Sequence, residues 1–470
     1  MNNTIWWVRR DLRLSDNQAL YAAVQSGDQV TPVFIIDPRL TETQPLPQKR
    51  IDFLWGGLQA LDKSLRARGS RLIVRRGDPL EELAHLVKES KASAVYAEED
   101  FTPFARRRDR AIARELPLHL LPGLTMFFPD SVRKADGNPY TVFTPFSKAW
   151  HRTLQGNSRK LLSAPERMAT PIEITSLPLP NPVGNVQFPP GEIEALHRLQ
   201  NFTTGNHAPI YQYADQRDRP DLPGTSTLSP YLRFGMLSAR QAVFAAEQAA
   251  QLAPDETARQ GAQTWLNELI WREFFISILF HFPDVMKESF RPELRQISWR
   301  NNEVEFLAWK EGQTGYPIVD AAMRQLAKTG WMHNRARMIV ASFLVKDLLI
   351  NWRWGERWFM QMLVDGDPAA NTGGWQWSAG TGTDAAPYFR IFNPVLQGKK
   401  FDPQGDYVRQ WVPELANLPP KFIHNPWEMP HQLQIQFNVL LGVEYPFPIV
   451  DHTLARERTL EAYQHAKVAF

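Results

Sequence analysis

Ile5-Trp6-Trp7-Val8-Arg9-Arg10-Asp11-Leu12-Arg13-Leu14 opens the chain with four apolar residues that turn at once into charge. A short apolar run without alternation is the mark of a strand buried on both faces. Runs at Val30–Ile36, Arg71–Val74 and Ala94–Ala97 repeat it. Between them, segments starting at Asn17, Lys49, Pro79 and Phe104 carry helical spacing. Asp16 and Asp78 are the candidate N-caps, and Pro79 suits a first helical position. This alternation predicts an α/β domain over residues 1–130, with a parallel sheet covered on both faces. It is Rossmann-like without the dinucleotide fingerprint, because no Gly-x-Gly-x-x-Gly follows the first strand.

Further along, residues 131–190 read as a long Pro-rich linker between domains. Seven prolines fall between Ser163 and Pro190: Pro165, Pro171, Pro178, Pro180, Pro182, Pro189 and Pro190. Proline fixes φ and donates no ladder bond, so an extended connector is expected. From Gly191 to residue 470 the pattern is helical. Apolar residues recur at three- and four-residue spacing in Gly191–Thr203, Ala239–Leu252, Ala262–Phe282, Val304–Lys310, Asp320–Thr329, Asn334–Leu349 and Gly355–Leu363. The second domain is therefore expected to be all-α.

Composition narrows the chemistry. The 470 residues include no Cys, which excludes disulfides, thiolate nucleophiles, Cys-ligated zinc and iron–sulfur clusters. Lys and Arg number 53 against 50 Asp and Glu, a near-neutral balance that still allows a local basic groove. Neither a signal-peptide pattern nor an apolar run of membrane-spanning length is visible, so a cytoplasmic protein without a membrane partner is expected. Of 16 Trp, 12 lie between Trp265 and Trp427, which points to a domain built around something flat. No Walker loop and no His-Glu-x-x-His occur. His281 and His333 stand alone, and no metal is expected. Arg106-Arg107-Arg108 reads as a solvated helix face.

Four segments carry chemical information. Gly224-Thr225-Ser226-Thr227-Leu228-Ser229 offers hydroxyls and N–H groups for an anion, or is an ordinary N-cap cluster. In Trp265-Leu-Asn-Glu268-Leu-Ile-Trp271-Arg272, residues 268, 271 and 272 share a helix face; a surface ion pair over a core Trp has the same spacing. Asn334-Arg335-Ala-Arg337-Met338 presents a polar face with one Met. Asp365-Gly-Asp367-Pro-Ala-Ala-Asn371-Thr-Gly-Gly-Trp375-Gln-Trp377 sets two carboxylates and an amide in a glycine-rich stretch, suited to a planar polar ring or a cation.

With Thr314-Gly-Tyr-Pro-Ile-Val-Asp320, Phe389-Arg-Ile-Phe-Asn393-Pro394 and the opening strand, these segments resemble the photolyase/cryptochrome family of flavoproteins over essentially the whole chain. Within it, the likeness is to microbial class I photolyases that split cyclobutane pyrimidine dimers in UV-damaged DNA. The resemblance implies FAD, fully reduced (FADH⁻) when active, and a blue-light-driven electron transfer that opens the cyclobutane ring without net redox change. It implies that Tyr213, Thr225, Ser226, Thr227, Leu228 and Ser229 embrace the pyrophosphate and ribityl side. Trp265, Glu268 and Arg272 would line the adenine and substrate side. Asn334, Arg337, Asp365, Asp367 and Asn371 would surround the ring, with Arg337 and Asp365 paired. Catalysis would centre on Glu268, Asn334 and Asn371. Trp271 and Trp377 would stack on an extruded dimer, Met338 would lie beside it, and Arg217 and Arg335 would hold its phosphates. Trp375, Trp352 and Trp299 match the family's electron-transfer chain.

The resemblance also implies a second chromophore in the N-terminal domain. Phe104-Ala105 stands where folate-binding relatives carry Asn-Glu, and an apolar aromatic wall suits a flat tricyclic ring. An 8-hydroxy-deazaflavin-type antenna is expected on Phe34, Arg50, Asp100, Phe104 and Arg233, ahead of folate, flavin mononucleotide (FMN) or an empty site. A cryptochrome-like light sensor is the alternative. Asn371 speaks against it, because plant-type sensors carry Asp and animal-type sensors Cys there, and the ending at Phe470 leaves no long tail. A (6-4) photoproduct enzyme would need a His pair where Asn334 and Met338 stand, and a nicotinamide-dependent flavin oxidoreductase would need a fingerprint not found. A monomer without a protein partner, nucleoid-associated on damaged DNA, completes the expectation.

Overall fold

A computed structural model describes residues 2–41, 47–155, 160–184 and 187–468. Five strands form one parallel sheet: β1 (Asn3–Val8), β2 (Gln29–Ile36), β3 (Ile73–Arg76), β4 (Ala92–Glu98) and β5 (Leu118–Leu121), in the order β3-β2-β1-β4-β5. The order reverses between β1 and β4, and such a switch point opens a crevice beyond the carboxyl ends of the two strands. Arg9-Arg10-Asp11 and Glu99-Asp100 follow those ends. Side chains from one sheet face and from the helices packed on it form an apolar core, among them Ile5, Trp7, Val33, Ile73, Leu83, Val95 and Ile112.

Helices of eight or more residues are numbered in chain order. Those on the sheet are α1 (Gln18–Ser26), α2 (Gln48–Arg66), α3 (Pro79–Ser90) and α4 (Pro103–Glu115). Asp78 caps α3 with Pro79 at its first position. At α1 the cap is Asn17, which accepts from Leu20 N, whereas Asp16 takes a left-handed backbone (φ 48°) just outside the helix. The third strand lies two residues beyond the expected Arg71–Val74. The fifth went unread because four residues at a sheet edge, one of them His119, carry almost no periodic signal.

Then follow α5 (Phe143–Gln155), α6 (Glu192–Thr203), α7 (Ala239–Gln251), α8 (Glu256–His281), α9 (Glu303–Glu311), α10 (Pro317–Thr329), α11 (Asn334–Ser342), α12 (Trp352–Met362), α13 (Pro368–Ala379), α14 (Pro394–Phe401) and α15 (His452–Val468). Helix α5 falls inside the stretch read as linker. Its buried Phe146, Ala149, Trp150 and Leu154 have helical spacing that the neighbouring prolines obscured. The described residues of 160–184 and 187–191 carry no helix or strand, yet they are stitched to the sheet domain: Val30 N donates to Ala169 O (2.9 Å), Met168 N to Arg68 O (2.8 Å) and Leu177 N to Val74 O (2.9 Å). Helix α8 starts six residues before its apolar stripe, because Asp255 caps it. After α11 the backbone widens into a π turn over Phe343–Asp347, so the continuous helix expected to Leu349 is broken.

By packing density the chain divides into two compact units, residues 1–214 with 226–283 and residues 215–225 with 284–470. The composition boundaries at 130 and 190 are a different cut, through the first unit. The second unit has its own core around Trp309, Trp352, Phe359 and Trp375. There Gly355 lets α12 approach α13: a Cβ on it would stand 2.0 Å from the Trp375 ring.

Candidate functional site

The candidate residues fall into two sets, one in each unit. In the first unit, Trp265 is buried on α8 and donates from Nε1 to Ser226 Oγ (3.3 Å). Phe202, at the end of α6, gathers the neighbours: it meets Trp265 at 5.3 Å and Tyr213 edge-on at 6.1 Å. Thr227 takes a left-handed φ of 50° and accepts from Arg198 Nη1 (3.2 Å). Leu228 is buried just before a six-residue helix that starts at Ser229. Further along α8, Glu268, Trp271 and Arg272 share a face, as the spacing requires, and all three are half-buried. Arg272 donates to Leu124 O (2.9 Å). Its neighbour Glu273 is buried and accepts from Trp150 Nε1 (2.7 Å) and Met126 N. Burial raises the Glu273 pKa against those donors.

The residues expected to line an antenna pocket also lie in this unit. Burial opposes ionisation of Asp100, but Arg10, the Thr102 N–H and Arg233 outweigh it and hold the carboxyl well below its ordinary range. Phe34 and Arg50 are buried, and Phe34 packs edge-on against Trp55 (6.5 Å). Phe104 is not a bare apolar wall: the Arg39 guanidinium lies 5.5 Å and that of Arg108 5.9 Å from its ring centre. The three-arginine run is accordingly not a solvated face. Arg106 donates to Phe280 O (3.0 Å), Arg108 pairs with Asp109 (2.8 Å), and of the three only Arg107 is exposed. Helix α4 turns two of the three inward, which a charge count does not reveal.

In the second unit, Arg337 donates to Met332 O and to Asp365 Oδ2, both at 2.8 Å. The other Asp365 oxygen, Oδ1, is buried and has no hydrogen-bond partner. Such an acceptor is costly unless something supplies a donor. A ring N–H of a flavin is the kind of donor that fits, so the residues present suit FAD. Asp367 caps α13 by accepting from Ala369 N (3.0 Å) and Ala370 N (3.2 Å). Asn371, buried on α13, gives its amide N–H groups to the backbone oxygen (3.0 Å) and to Oε1 (2.9 Å) of Glu356. Only the NH₂ end of an amide can face two acceptors, so the orientation of Asn371 is decided and its oxygen points elsewhere. Glu356 has its pKa raised by burial against the bonds from Asn371 and Thr372.

Asn334 is exposed at the start of α11, with Nδ2 3.9 Å from Met338 Sδ. Arg335 pairs with Asp218 (2.8 Å) and lies 4.4 Å over Phe401, so part of its charge is already balanced. Arg217 and Trp377 are half-buried, and Thr225 lies in the 215–225 segment of this unit. Trp375 and Trp352 are each 2% exposed, whereas Trp299 is half-buried, and all three pack in one apolar cluster. Trp375 meets Phe359 at 5.0 Å and Trp309 at 6.1 Å; Trp299 meets Tyr463 at 6.1 Å. Glu356, Phe143, Phe202, Asp218 and Glu273 were not singled out by sequence reasoning. Each acts through a partner more than ten residues away, and no local spacing announces that. Among the described residues no group of three or more His, Asp or Glu is placed to hold a metal, and no helix is long and apolar enough to cross a membrane.

Two family models match the chain: DNA photolyase over residues 4–168 and the FAD binding domain of DNA photolyase over residues 265–465. The deoxyribodipyrimidine photo-lyase of Synechococcus sp. is 41% identical over 99% of this chain and 97% of its own length. A bacterial class III photolyase from Agrobacterium tumefaciens superposes with a TM-score of 0.92 at 40% identity, covering 100% of this chain and 98% of its own. A cryptochrome from Synechocystis sp. superposes with a TM-score of 0.89 at 32% identity, covering 98% and 99%. A likeness of this extent, carrying an FAD-binding domain with it, means that the chain belongs to the DNA photolyase family.

Proposed function

We propose that this chain is a light-driven lyase that splits cyclobutane pyrimidine dimers in DNA. The carrying observation is the 41% identity to a deoxyribodipyrimidine photo-lyase along nearly the whole of both chains. The chemistry that FAD would supply when bound and fully reduced is a light-excited electron lent to the dimer and returned after the ring opens. The protein's own residues bind, orient and exclude water. In the second unit, Asp365 Oδ1, buried without a donor, would accept a ring N–H; Arg337, paired with Asp365, would favour an anionic ring, and Asn371 would present its oxygen. Asp367, Asn334 and Thr225 complete this set. In the first unit, Tyr213, Ser226, Thr227, Leu228, Ser229, Trp265 and Arg272 serve the phosphate, ribityl and adenine parts.

For the lesion, Glu268 and Asn334 hydrogen-bond base edges, while Trp271, Trp377 and Met338 offer flat or apolar contact. Arg217 and Arg335 face phosphates. A damaged, poorly stacked pair costs less to extrude, which contributes to selectivity. Trp375, Trp352 and Trp299, from buried to half-buried, would relay electrons from an external reductant such as a thiol to oxidised FAD. We further propose an antenna of 8-hydroxy-deazaflavin type on Phe34, Arg50, Asp100, Phe104 and Arg233. Arg39 and Arg108 over Phe104 favour a ring that carries negative charge, as an ionised 8-hydroxy group does. Reconstitution tests it: tight folate binding without deazaflavin binding overturns the assignment.

The second reading is a light sensor without repair, favoured by the likeness to the Synechocystis cryptochrome. One experiment separates the two. Purified protein with chemically reduced FAD is illuminated with blue light on a thymine-dimer oligonucleotide. Loss of the dimer in light and not in the dark is the expected outcome; a light-responsive flavin with the dimer intact selects the sensor.

A further inference from the structure

The stretch between the sheet domain and the helices contains one element without an assigned role, helix α5. Its first residue, Phe143, lies face to face with Trp271 of α8, ring centroids 3.7 Å and planes 4° apart. Aromatic pairs left to themselves prefer offset or edge-on contact, so a near-superposed pair is held there by its surroundings. Those surroundings are visible. Trp150 of α5 donates to buried Glu273 of α8, two residues beyond Trp271. Phe146 packs on Phe274 at 5.3 Å, and Phe143 itself meets Phe274 edge-on at 5.9 Å. Phe274 and Phe275 close on Trp271 at 5.6 Å and 5.5 Å. Helix α5 is thus pinned to α8 by a buried hydrogen bond and a ring contact, and it delivers Phe143 to one face of the indole.

We propose that Phe143 is a positioning residue for lesion binding: it backs the Trp271 indole and fixes its plane, so that an extruded base stacks on the opposite face. The inference rests on the function proposed above. A half-buried indole without backing would rotate about its side-chain torsions and lose that freedom on each binding event. A ring locked in advance avoids the cost. Stacking on a fixed platform also favours a base already out of the helix over one still paired, so the backing sharpens discrimination between damaged and undamaged DNA.

The test measures, in the dark and with FAD bound, the affinity of the protein for one duplex with and without a thymine dimer. Phe143→Leu is expected to weaken dimer binding about three- to tenfold. Undamaged-DNA affinity and FAD content should stay as in the unaltered protein. Phe143→Tyr, which keeps the ring, should restore dimer binding. Unchanged dimer affinity in Phe143→Leu overturns the proposal. So does tighter binding, which would mean that the ring occupies the face the base needs. In a Trp271→Leu background, Phe143→Leu should change nothing more, and a further loss there marks a merely structural role. Should Phe143→Leu not fold, Phe143→Met carries the same expectation. An unaltered protein that does not prefer the dimer refutes the function reading rather than this one.

Discussion

Two aromatic regions of this molecule are built to opposite ends. On α8 of the first unit, Trp271 is half-buried, with its ring stacked face to face on Phe143. In the second unit, Trp375 is enclosed, meeting Phe359 and Trp309 nearly edge-on at 78° and 71°. Edge-on packing fills an interior without presenting a face, whereas parallel backing creates one. The same residue type is thus packed as a backed, half-buried face in one region and as an enclosed interior ring in the other, which is the contrast that the proposed lesion-contact and electron-transfer roles require.

Changes within the two regions should separate cleanly. The largest effect belongs to the interior. Trp309, fully buried and donating to Val340 O (3.0 Å), is a pillar of the second core. Trp309→Ala should cost about 3–5 kcal/mol in denaturant unfolding. Trp271→Ala, which removes a half-buried ring packed on Phe143, Phe274 and Phe275, should cost clearly less stability than Trp309→Ala and about 1–3 kcal/mol in dimer binding, read by titration with lesion-containing DNA. A large stability loss at Trp271 would place it in the core and erase the contrast.

The pH dependence of the second unit offers a finer probe. His333 caps α11, which carries Asn334 and Arg337, and burial lowers its pKa to about 4. In the unfolded chain a histidine titrates near 6.5, so the neutral form is favoured in the fold. The stability this contributes is present above about pH 6.5 and is lost as pH falls toward 4. Relative to His333→Asn, which keeps a capping side chain, the unaltered protein should lose about 2 kcal/mol between pH 7.5 and pH 5. A parallel decline in both proteins contradicts it. Smallest is Asp367→Ala, which removes the cap of α13 and should cost about 1 kcal/mol in thermal unfolding.

The sheet was legible because buried parallel strands such as Ile5–Val8 are apolar without interruption. The same rule misses β5, whose residues alternate with polar His119 and lie at the edge. Helix α5 was hidden by its setting: prolines on the C-terminal side outweighed a clear Phe146, Ala149, Trp150, Leu154 stripe. The Arg337–Asp365 pair could be named because both residues sit in distinctive motifs, and they stand 2.8 Å apart. Glu356 and Phe143 could not be, since the partners of each, Asn371 and Thr372 for one and Trp271 and Phe274 for the other, are distant in sequence and met only in the folded chain. Phe104 shows the reverse error: read locally it is an apolar wall, but Arg39 and Arg108 reach over it.

The central division, lesion contact on one side and electron supply on the other, is tested most directly with Trp299→Phe. This variant is prepared twice, once with FAD oxidised and once with FAD chemically reduced beforehand, and both are illuminated on dimer-containing DNA. With an external thiol reductant present, the oxidised preparation is expected to gain no activity under light, while the pre-reduced one repairs at the rate of the unaltered protein. Loss of repair in the pre-reduced variant would contradict it.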